Sequence, residues 1–223
     1  SIFSDILVVC EELKLLGGTH FSLDGVKLSA NVSKEWSGTI DELKHKRDKL
    51  QEKLQRVIAE HAQADQHPQV EIERQKKRER RFQLQVERLN DFLKDREPKR
   101  GSEGKEIQSN AIDNESAKMA TGKGVIQGYT GVACVDDKHQ IIVSAEAHGT
   151  GSEHELLLPA IEATGALLHA DTIITADAGY HSEANLNALA EKAIDAFIPD
   201  NGYRLRDPRY ANQSVHTQKA DPL

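Results

Sequence analysis

The stretch that decides the fold is Thr172-Ile173-Ile174-Thr175-Ala176-Asp177-Ala178-Gly179-Tyr180, a β-branched run that leads to a carboxylate and a glycine. Such a run favours a strand, and the glycine ends it. An earlier run, His20-Phe21-Ser22-Leu23-Asp24-Gly25, has the same pattern. Each glycine leaves space around the acid beside it. Asp24 and Asp177 are therefore candidate ligands of a divalent cation, provided that the fold brings the two strands together.

The order of elements around these runs predicts an α/β fold. Apolar strands at 128–135 and 140–146 flank a polar turn and form a hairpin, and helical patterns then alternate with strands that end at residues 176 and 199. Without the charged middle of the chain, the order is β, β, β, α, β, α, β. This order predicts a mixed five-stranded sheet with flanking helices, as in the ribonuclease H-like fold. In that fold the first and fourth strands are neighbours, so the two acids would lie close together.

Residues 40–97 predict two long helices, with apolar residues at seven-residue intervals in the first and a break at 65–68. Narrow apolar stripes of this kind are typical of a helical hairpin or a coiled coil. Four regions follow from these patterns. We expect an N-terminal helix at 1–18, a catalytic core at 19–38 and 105–200, a hairpin insertion with its linker at 39–104, and an irregular tail at 201–223.

The overall charge does not indicate a nucleic-acid-binding protein, because the net charge is −7. Residues 71–100, however, contain eleven Lys or Arg against seven acids. The cluster Lys76, Lys77, Arg78, Arg80 and Arg81 could contact phosphates, although a solvated helix face with pairs such as Glu73 and Lys77 is the simpler interpretation. Two cysteines without metal-binding spacing, and no apolar run long enough to span a membrane, favour a reducing, cytoplasmic setting.

Several segments together resemble bacterial insertion-sequence transposases of the DDE class. They are Phe21 to Ser33, which is similar to the family's Asp-Gly-Thr-Lys and Ala-Asn-Ala-Ser segments, and also Asp113-Asn114-Glu115-Ser116, Gly128-Tyr129 with Val135-Asp136, His139 to Val143, and Ala176 to Ser182. The resemblance covers most of the chain and rests on the order and spacing of these segments.

The resemblance implies a centre that cuts and joins DNA with two Mg²⁺ or Mn²⁺ ions held by two Asp and one Glu. Asp24 matches the first acid of that site and Asp177 the second. The third acid, a Glu on a helix after the last strand, has no counterpart here, and neither Glu191 nor Asp207 fits its place, so we expect a truncated chain that lacks activity. Glu153 and Glu155 could approach the sheet edge as extra acids, but helix capping and solvent exposure explain them better.

The resemblance also implies DNA as the partner, both transposon ends and target, and leaves a homodimer open. By the same resemblance Arg204 and Arg206 would face DNA. Three alternatives stay open at this point. They are a simple nuclease, a degenerate transposase fragment that binds DNA or a partner through the helical hairpin, and a coiled-coil interaction protein whose sheet is only a platform.

Overall fold

The computed structural model describes residues 2–62, 69–94, 96–101 and 104–210. The helices are α1 (Ile2–Glu12), α2 (Ile40–Ala62), α3 (Gln69–Lys94), α4 (Leu157–Thr164), α5 (Glu183–Glu191) and α6 (Tyr203–Arg206). The strands are β1 (His20–Ser29), β2 (Ser37–Gly38), β3 (Ser109–Asn110), β4 (Ala117–Thr121), β5 (Gly124–Asp136), β6 (Ile141–His148), β7 (Ile173–Ala176) and β8 (Asp195–Phe197).

The chain divides into two compact units. The described residues of the first unit are 2–28, 130–148 and 152–210. Its strands lie in the order β6, β5, β1, β7, β8, with β7 parallel to both β1 and β8, and with β6 antiparallel to β5. The parallel strands are reached through helical connections, as the alternating pattern of the sequence predicts.

The core of the first unit forms where apolar side chains of the strands meet α4 and the turn after β7. Phe21, Leu157, Ile174 and Tyr180 have no exposed surface. Alternation along β1 buries Phe21 and Leu23 and leaves Ser22 and Asp24 exposed, because successive side chains of a strand point to opposite faces. The same alternation that builds the core therefore keeps Asp24 at the surface.

The described residues of the second unit are 29–62, 69–94, 96–101, 104–129 and 149–151. Helices α2 and α3 pack along each other, and their buried residues include Leu43, Val57, Val86 and Leu89. These positions lie on the predicted apolar stripes. The antiparallel pair β2 and β3 lies in this unit, and β4 pairs with Gly124–Gly128 of β5.

Three features differ from the prediction. The mixed sheet has six strands instead of the predicted five. The additional strand is β4, a short segment with a single buried side chain at Met119. The first helix ends at Glu12 and buries no residue, since its apolar positions are largely exposed. Residues 201–210, expected to be irregular, contain α6 and a 3-10 turn at Pro208–Tyr210. The break at 65–68 and the tail at 211–223 lie outside the described residues.

Candidate functional site

The two predicted acids lie side by side on neighbouring central strands of the sheet. β1 and β7 are parallel, and Leu23 pairs with Ala176 as the last of four paired positions. Asp24 directly follows Leu23 and Asp177 directly follows Ala176, and both acids are exposed. The structure therefore brings together the two carboxylates that the sequence analysis singled out, because their strands run in the same direction and in register.

Each carboxylate uses one oxygen locally. Asp24 Oδ1 accepts a hydrogen bond from the Gly25 amide at 2.7 Å, and Asp177 Oδ1 accepts one from the Gly179 amide at 2.8 Å. The second bond caps the 3-10 turn at Ala178–Tyr180, which is the structural role weighed for an Asp before such a turn. Within the described part of the chain, the remaining oxygen of each acid makes no hydrogen bond or ion pair, so it is available to a ligand.

The glycines after the two acids are required by close neighbours. A Cβ at Gly25 would lie 2.7 Å from the Tyr180 hydroxyl oxygen. A Cβ at Gly179 would lie 2.6 Å from Glu153 Oε2 and 3.0 Å from Asp177 Oδ1. Real Cβ atoms do not approach other atoms so closely. Gly25 therefore needs the missing side chain of glycine, because the buried Tyr180 ring is rigid, whereas the atoms beside Gly179 are the ends of flexible side chains. The space that the sequence pattern suggested is thus already bordered by oxygen atoms.

Sequence reasoning assigned no role here to Lys27 or Tyr180, and it preferred capping over a position at the sheet edge for Glu153. The Glu153 carboxylate points toward Gly179, and its other oxygen lies 3.9 Å from Lys27 Nζ. Tyr180 is fully buried, and its hydroxyl has no hydrogen-bond partner within the described structure. Burial, together with the nearby charges of Glu153, Asp24 and Asp177, raises the pKa of Tyr180. The available signal was the position of this tyrosine directly after Asp-Ala-Gly.

Asn185 fixes the turn that carries Tyr180. Its side-chain amide donates to the carbonyl oxygens of Tyr180 at 2.8 Å and of His154 at 2.7 Å, and it is 6% exposed. The Ser182 hydroxyl accepts from the Asn185 amide and caps α5, as the sequence predicts. One buried side chain thus joins the turn after Asp177 to the turn that carries Glu153.

The donors at this edge suit a hard cation such as Mg²⁺ or Mn²⁺, which prefers carboxylate oxygens. A further observation supports the fit, because the second oxygen of each acid is not engaged by a backbone amide. As they stand, no three His, Cys, Asp or Glu side chains among the described residues are grouped closely enough to hold a metal ion. Asp24 and Asp177 therefore form a two-carboxylate site, with Glu153 near Asp177 but not closed around a common point.

A groove of about 480 Å³ lies beside Asp24. It is lined mainly by small and apolar residues of β1, β5 and β6, among them Val26, Leu28 and Gly131, and by the carboxylate of Glu146. The groove gives access to Asp24 from the open face of the sheet.

The predicted basic contacts are all exposed. In the second unit, Lys76, Lys77, Arg78, Arg80 and Arg81 project from α3. Arg78 lies 3.9 Å from Glu60, whereas the expected ion pair between Glu73 and Lys77 does not form between these described side chains. In the first unit, Arg206 pairs with Asp200, and Arg204 stacks on Tyr203 and Tyr210.

The remaining groups at the surface or in the core have structural roles. Cys10 and Cys134 are free thiols, and burial raises the pKa of Cys134. Asp136, fully buried, accepts hydrogen bonds from the amides of Gly17, Gly18 and Lys138, which explains an acid at this strand end without a ligand.

Within the described ranges, no helix combines the length and hydropathy needed to cross a membrane.

Comparison with known proteins identifies the family of the chain. The family model described as "Transposase DDE domain" matches residues 98–219, more than half of the chain. The matched part includes Glu153, Asp177 and Tyr180, whereas Asp24 precedes it. No curated protein and no solved structure matches the chain. On the match over 98–219, the chain belongs to the Transposase DDE domain family.

Proposed function

We propose that this chain is the catalytic core of a DNA transposase that cuts and joins DNA at transposon ends with divalent cations. The observation that carries the proposal is the parallel pairing of β1 and β7, which sets Asp24 beside Asp177. In a family of transposases, exposed carboxylates side by side on adjacent parallel strands support a cation site at the scissile phosphate. The two acids are the proposed metal ligands.

The proposed roles of the residues follow from their chemistry. Asp24 and Asp177 each hold a cation with the oxygen that is not engaged by a backbone amide. Those amide bonds orient the carboxylates before the cation binds, so less side-chain freedom is lost on binding. Gly25 and Gly179 let the Tyr180 hydroxyl and the Glu153 carboxylate approach the backbone beside the two acids. When bound, two Mg²⁺ or Mn²⁺ ions would activate the attacking oxygen and stabilise the leaving oxygen.

We further propose that the sheet is ribonuclease H-like and that α2 and α3 form an insertion in it. The position of β1 between β5 and β7, with β7 parallel to β1, supports this fold. The chain path supports the insertion, because α2 and α3 follow β1 and precede β5. In this interpretation, the helices add a separate surface without separating the two acids.

The test is metal-dependent DNA cleavage by Asp24→Asn and Asp177→Asn, measured as nicking of a supercoiled plasmid with Mn²⁺. Loss of a metal ligand removes several kcal/mol of transition-state stabilisation, which corresponds to a rate decrease on the order of a hundredfold or more. Asp195→Asn is the matched control, since Asp195 is an exposed acid paired with Ile173 at the opposite end of β7. Wild-type nicking in either acid variant would disprove the assignment.

Transposition and simple nuclease activity differ in the acceptor of the phosphoryl group. A transposase joins a DNA 3′-hydroxyl to the target strand, whereas a nuclease transfers the phosphoryl group only to water. Incubation with a labelled oligonucleotide that carries a free 3′-hydroxyl separates the two. Labelled plasmid supports transfer, and nicked but unlabelled plasmid supports a nuclease.

A second function, DNA binding through α3 without catalysis, is favoured by one observation. Lys77, Arg80, Arg81 and Arg88 line a shallow groove of about 350 Å³ together with Leu84 and Gln85. Such a row of cations along a helix matches the charge of a phosphate backbone. A degenerate transposase that keeps only this surface would bind DNA and leave it intact.

This surface is tested by replacing Lys77, Arg80 and Arg81 together with Gln and measuring affinity for a short duplex against salt concentration. If each residue contacts one phosphate, the slope of log affinity against log salt falls by about three, since each contact contributes about 0.9. The control replaces Lys44, Lys49 and Lys53 of α2 with Gln. These lysines are also exposed, and their replacement removes the same amount of charge. Equal effects of the two triple variants would show that only net charge matters.

A further inference from the structure

We propose that Asn185 is a positioning residue for Asp177, because its buried side-chain amide holds the turn that orients the Asp177 carboxylate. This turn is the 3-10 turn Ala178–Tyr180, which directly follows β7 and Asp177. The consequence for cation binding rests on the proposed function, since it takes Asp177 as a metal ligand. Asn185 acts through the turn and is not itself a proposed ligand.

The first step is the dependence of Asp177 on the turn. The Asp177 side chain accepts a hydrogen bond from the Gly179 amide at 2.8 Å, and the Asp177 carbonyl accepts one from the Tyr180 amide at 3.2 Å. The pairing of β7 with β1 ends one residue earlier, at Ala176. The orientation of the carboxylate is therefore set by the turn rather than by the sheet.

The second step is the contact between Asn185 and the end of this turn. The side-chain nitrogen of Asn185 donates to the carbonyl oxygens of Tyr180 at 2.8 Å and of His154 at 2.7 Å. Because a carbonyl oxygen only accepts, these two bonds use both hydrogens of the amide group. His154 belongs to the 3-10 turn Glu153–Leu156, so one side chain ties the two turns to each other.

The third step is the rigidity of Asn185 itself. Asn185 is 6% exposed and lies in the first turn of α5, where the Ser182 hydroxyl accepts from its backbone amide at 3.1 Å. One helical turn later, Leu189 packs in the same core as Tyr180. A buried amide that moves leaves its donors without acceptors, which is costly. Asn185 is therefore a fixed anchor for the turn.

The alternative is that Asn185 contributes only to overall stability. That role predicts that the turn and the strand before it loosen equally when Asn185 is replaced. A positioning role predicts that the turn loosens alone, because β7 is held by its own pairing with β1 and β8. Residues that orient metal ligands typically contribute about 10- to 100-fold to metal affinity.

The experiment compares wild type with Asn185→Asp, which keeps the shape of the side chain but replaces two donors with an acceptor. One readout is hydrogen exchange of the Gly179 amide in the metal-free chain, measured by NMR. The other is the affinity for Mn²⁺, measured by calorimetry. We expect exchange at Gly179 to accelerate, and Mn²⁺ affinity to fall, by at least about tenfold. Exchange at Ile174, in β7, should not change.

The matched control is Asn187→Asp, which makes the same change at an exposed residue of α5. Both readouts should stay within about twofold of wild type, as is usual for a surface substitution. If Asn185→Asp does not fold, Asn185→Ala takes its place, because it removes the two donors without adding a charge.

The outcomes separate this inference from the proposed function. If Gly179 and Ile174 accelerate by the same factor, or if neither changes, Asn185 is not a positioning residue. If Gly179 alone accelerates while Mn²⁺ binds as in wild type, the inference is also wrong and the proposed function stands. If wild type binds no Mn²⁺, the proposed function fails together with the role in cation binding. Exchange at Gly179 then still decides whether Asn185 holds the turn.

Discussion

Gly25 and Tyr180 show how single residues define this site. The glycine is required because a tyrosine hydroxyl lies where its Cβ would be, and the tyrosine is held in place by full burial. Asp24 and Asp177 each use one oxygen for a backbone amide and keep the other open. At this scale the candidate site consists of glycines that allow close packing and of acids whose side chains are oriented by backbone amides.

Replacing Gly25 with Ala should destabilise the chain by about 1–3 kcal/mol, the usual cost of an extra carbon in a packed region. The buried Tyr180 ring cannot move away as a flexible side chain would. Gly122→Ala is the control, because nothing lies within 4 Å of its Cβ position. Urea denaturation measures both variants. An unchanged midpoint for Gly25→Ala would contradict the packing described here.

Replacing Tyr180 with Phe should raise the unfolding free energy of the metal-free chain by about 1 kcal/mol, because it removes a buried hydroxyl without a partner. Thermal denaturation of the metal-free chain measures the effect. Tyr129→Phe is the control, because the Tyr129 hydroxyl donates to Asp113 and its loss should destabilise the chain. A destabilised metal-free Tyr180→Phe variant would contradict the account.

The sequence allows prediction of some of these residues and not of others. Asp24 and Asp177 are recognisable because a local pattern, an apolar run followed by Asp and Gly, carries the information. Glu153 and Tyr180 depend on tertiary contacts between segments far apart in the chain, which no local pattern encodes. Glu153 was assigned to a cap because an acid at the start of a helical pattern is ordinarily explained by the helix.

Among the elements, the strand pair β1 and β7 carries the functional argument. Its parallel pairing follows from the alternation of strands and helices in the sequence, and the structure has it in register. The stripes of α2 and α3 were predictable for the same reason, since their spacing is local. β4 was missed because its alternation is weak, and pairing with β5 is what makes it a strand.

The packing of α2 and α3 gives a prediction at this scale. Leu89→Ala should cost about 2–5 kcal/mol of stability, because Leu89 has no exposed surface and contributes to the cluster with Leu43 and Phe92. Leu84→Ala on the same helix is the control. Leu84 is 56% exposed, so its loss should change stability by less than about 0.5 kcal/mol. Similar effects of the two substitutions, measured by urea denaturation, would contradict this packing.

For the whole molecule, charge and family membership point in one direction. The net charge is −7, yet α3 carries a row of exposed cations, and the acids Asp24 and Asp177 lie on the sheet of the first unit. Membership in the Transposase DDE domain family is established, whereas DNA contact at α3, cation binding at the two acids, the ribonuclease H-like fold and the insertion remain predictions.

The central claim is that Asp24 and Asp177 bind a divalent cation together. Anomalous diffraction at the manganese edge, from crystals of the chain grown with Mn²⁺, tests it most directly. The account predicts a manganese peak about 2.0–2.6 Å from carboxylate oxygens of Asp24 and Asp177. Manganese bound elsewhere on the chain, or contacting neither Asp24 nor Asp177, would contradict it.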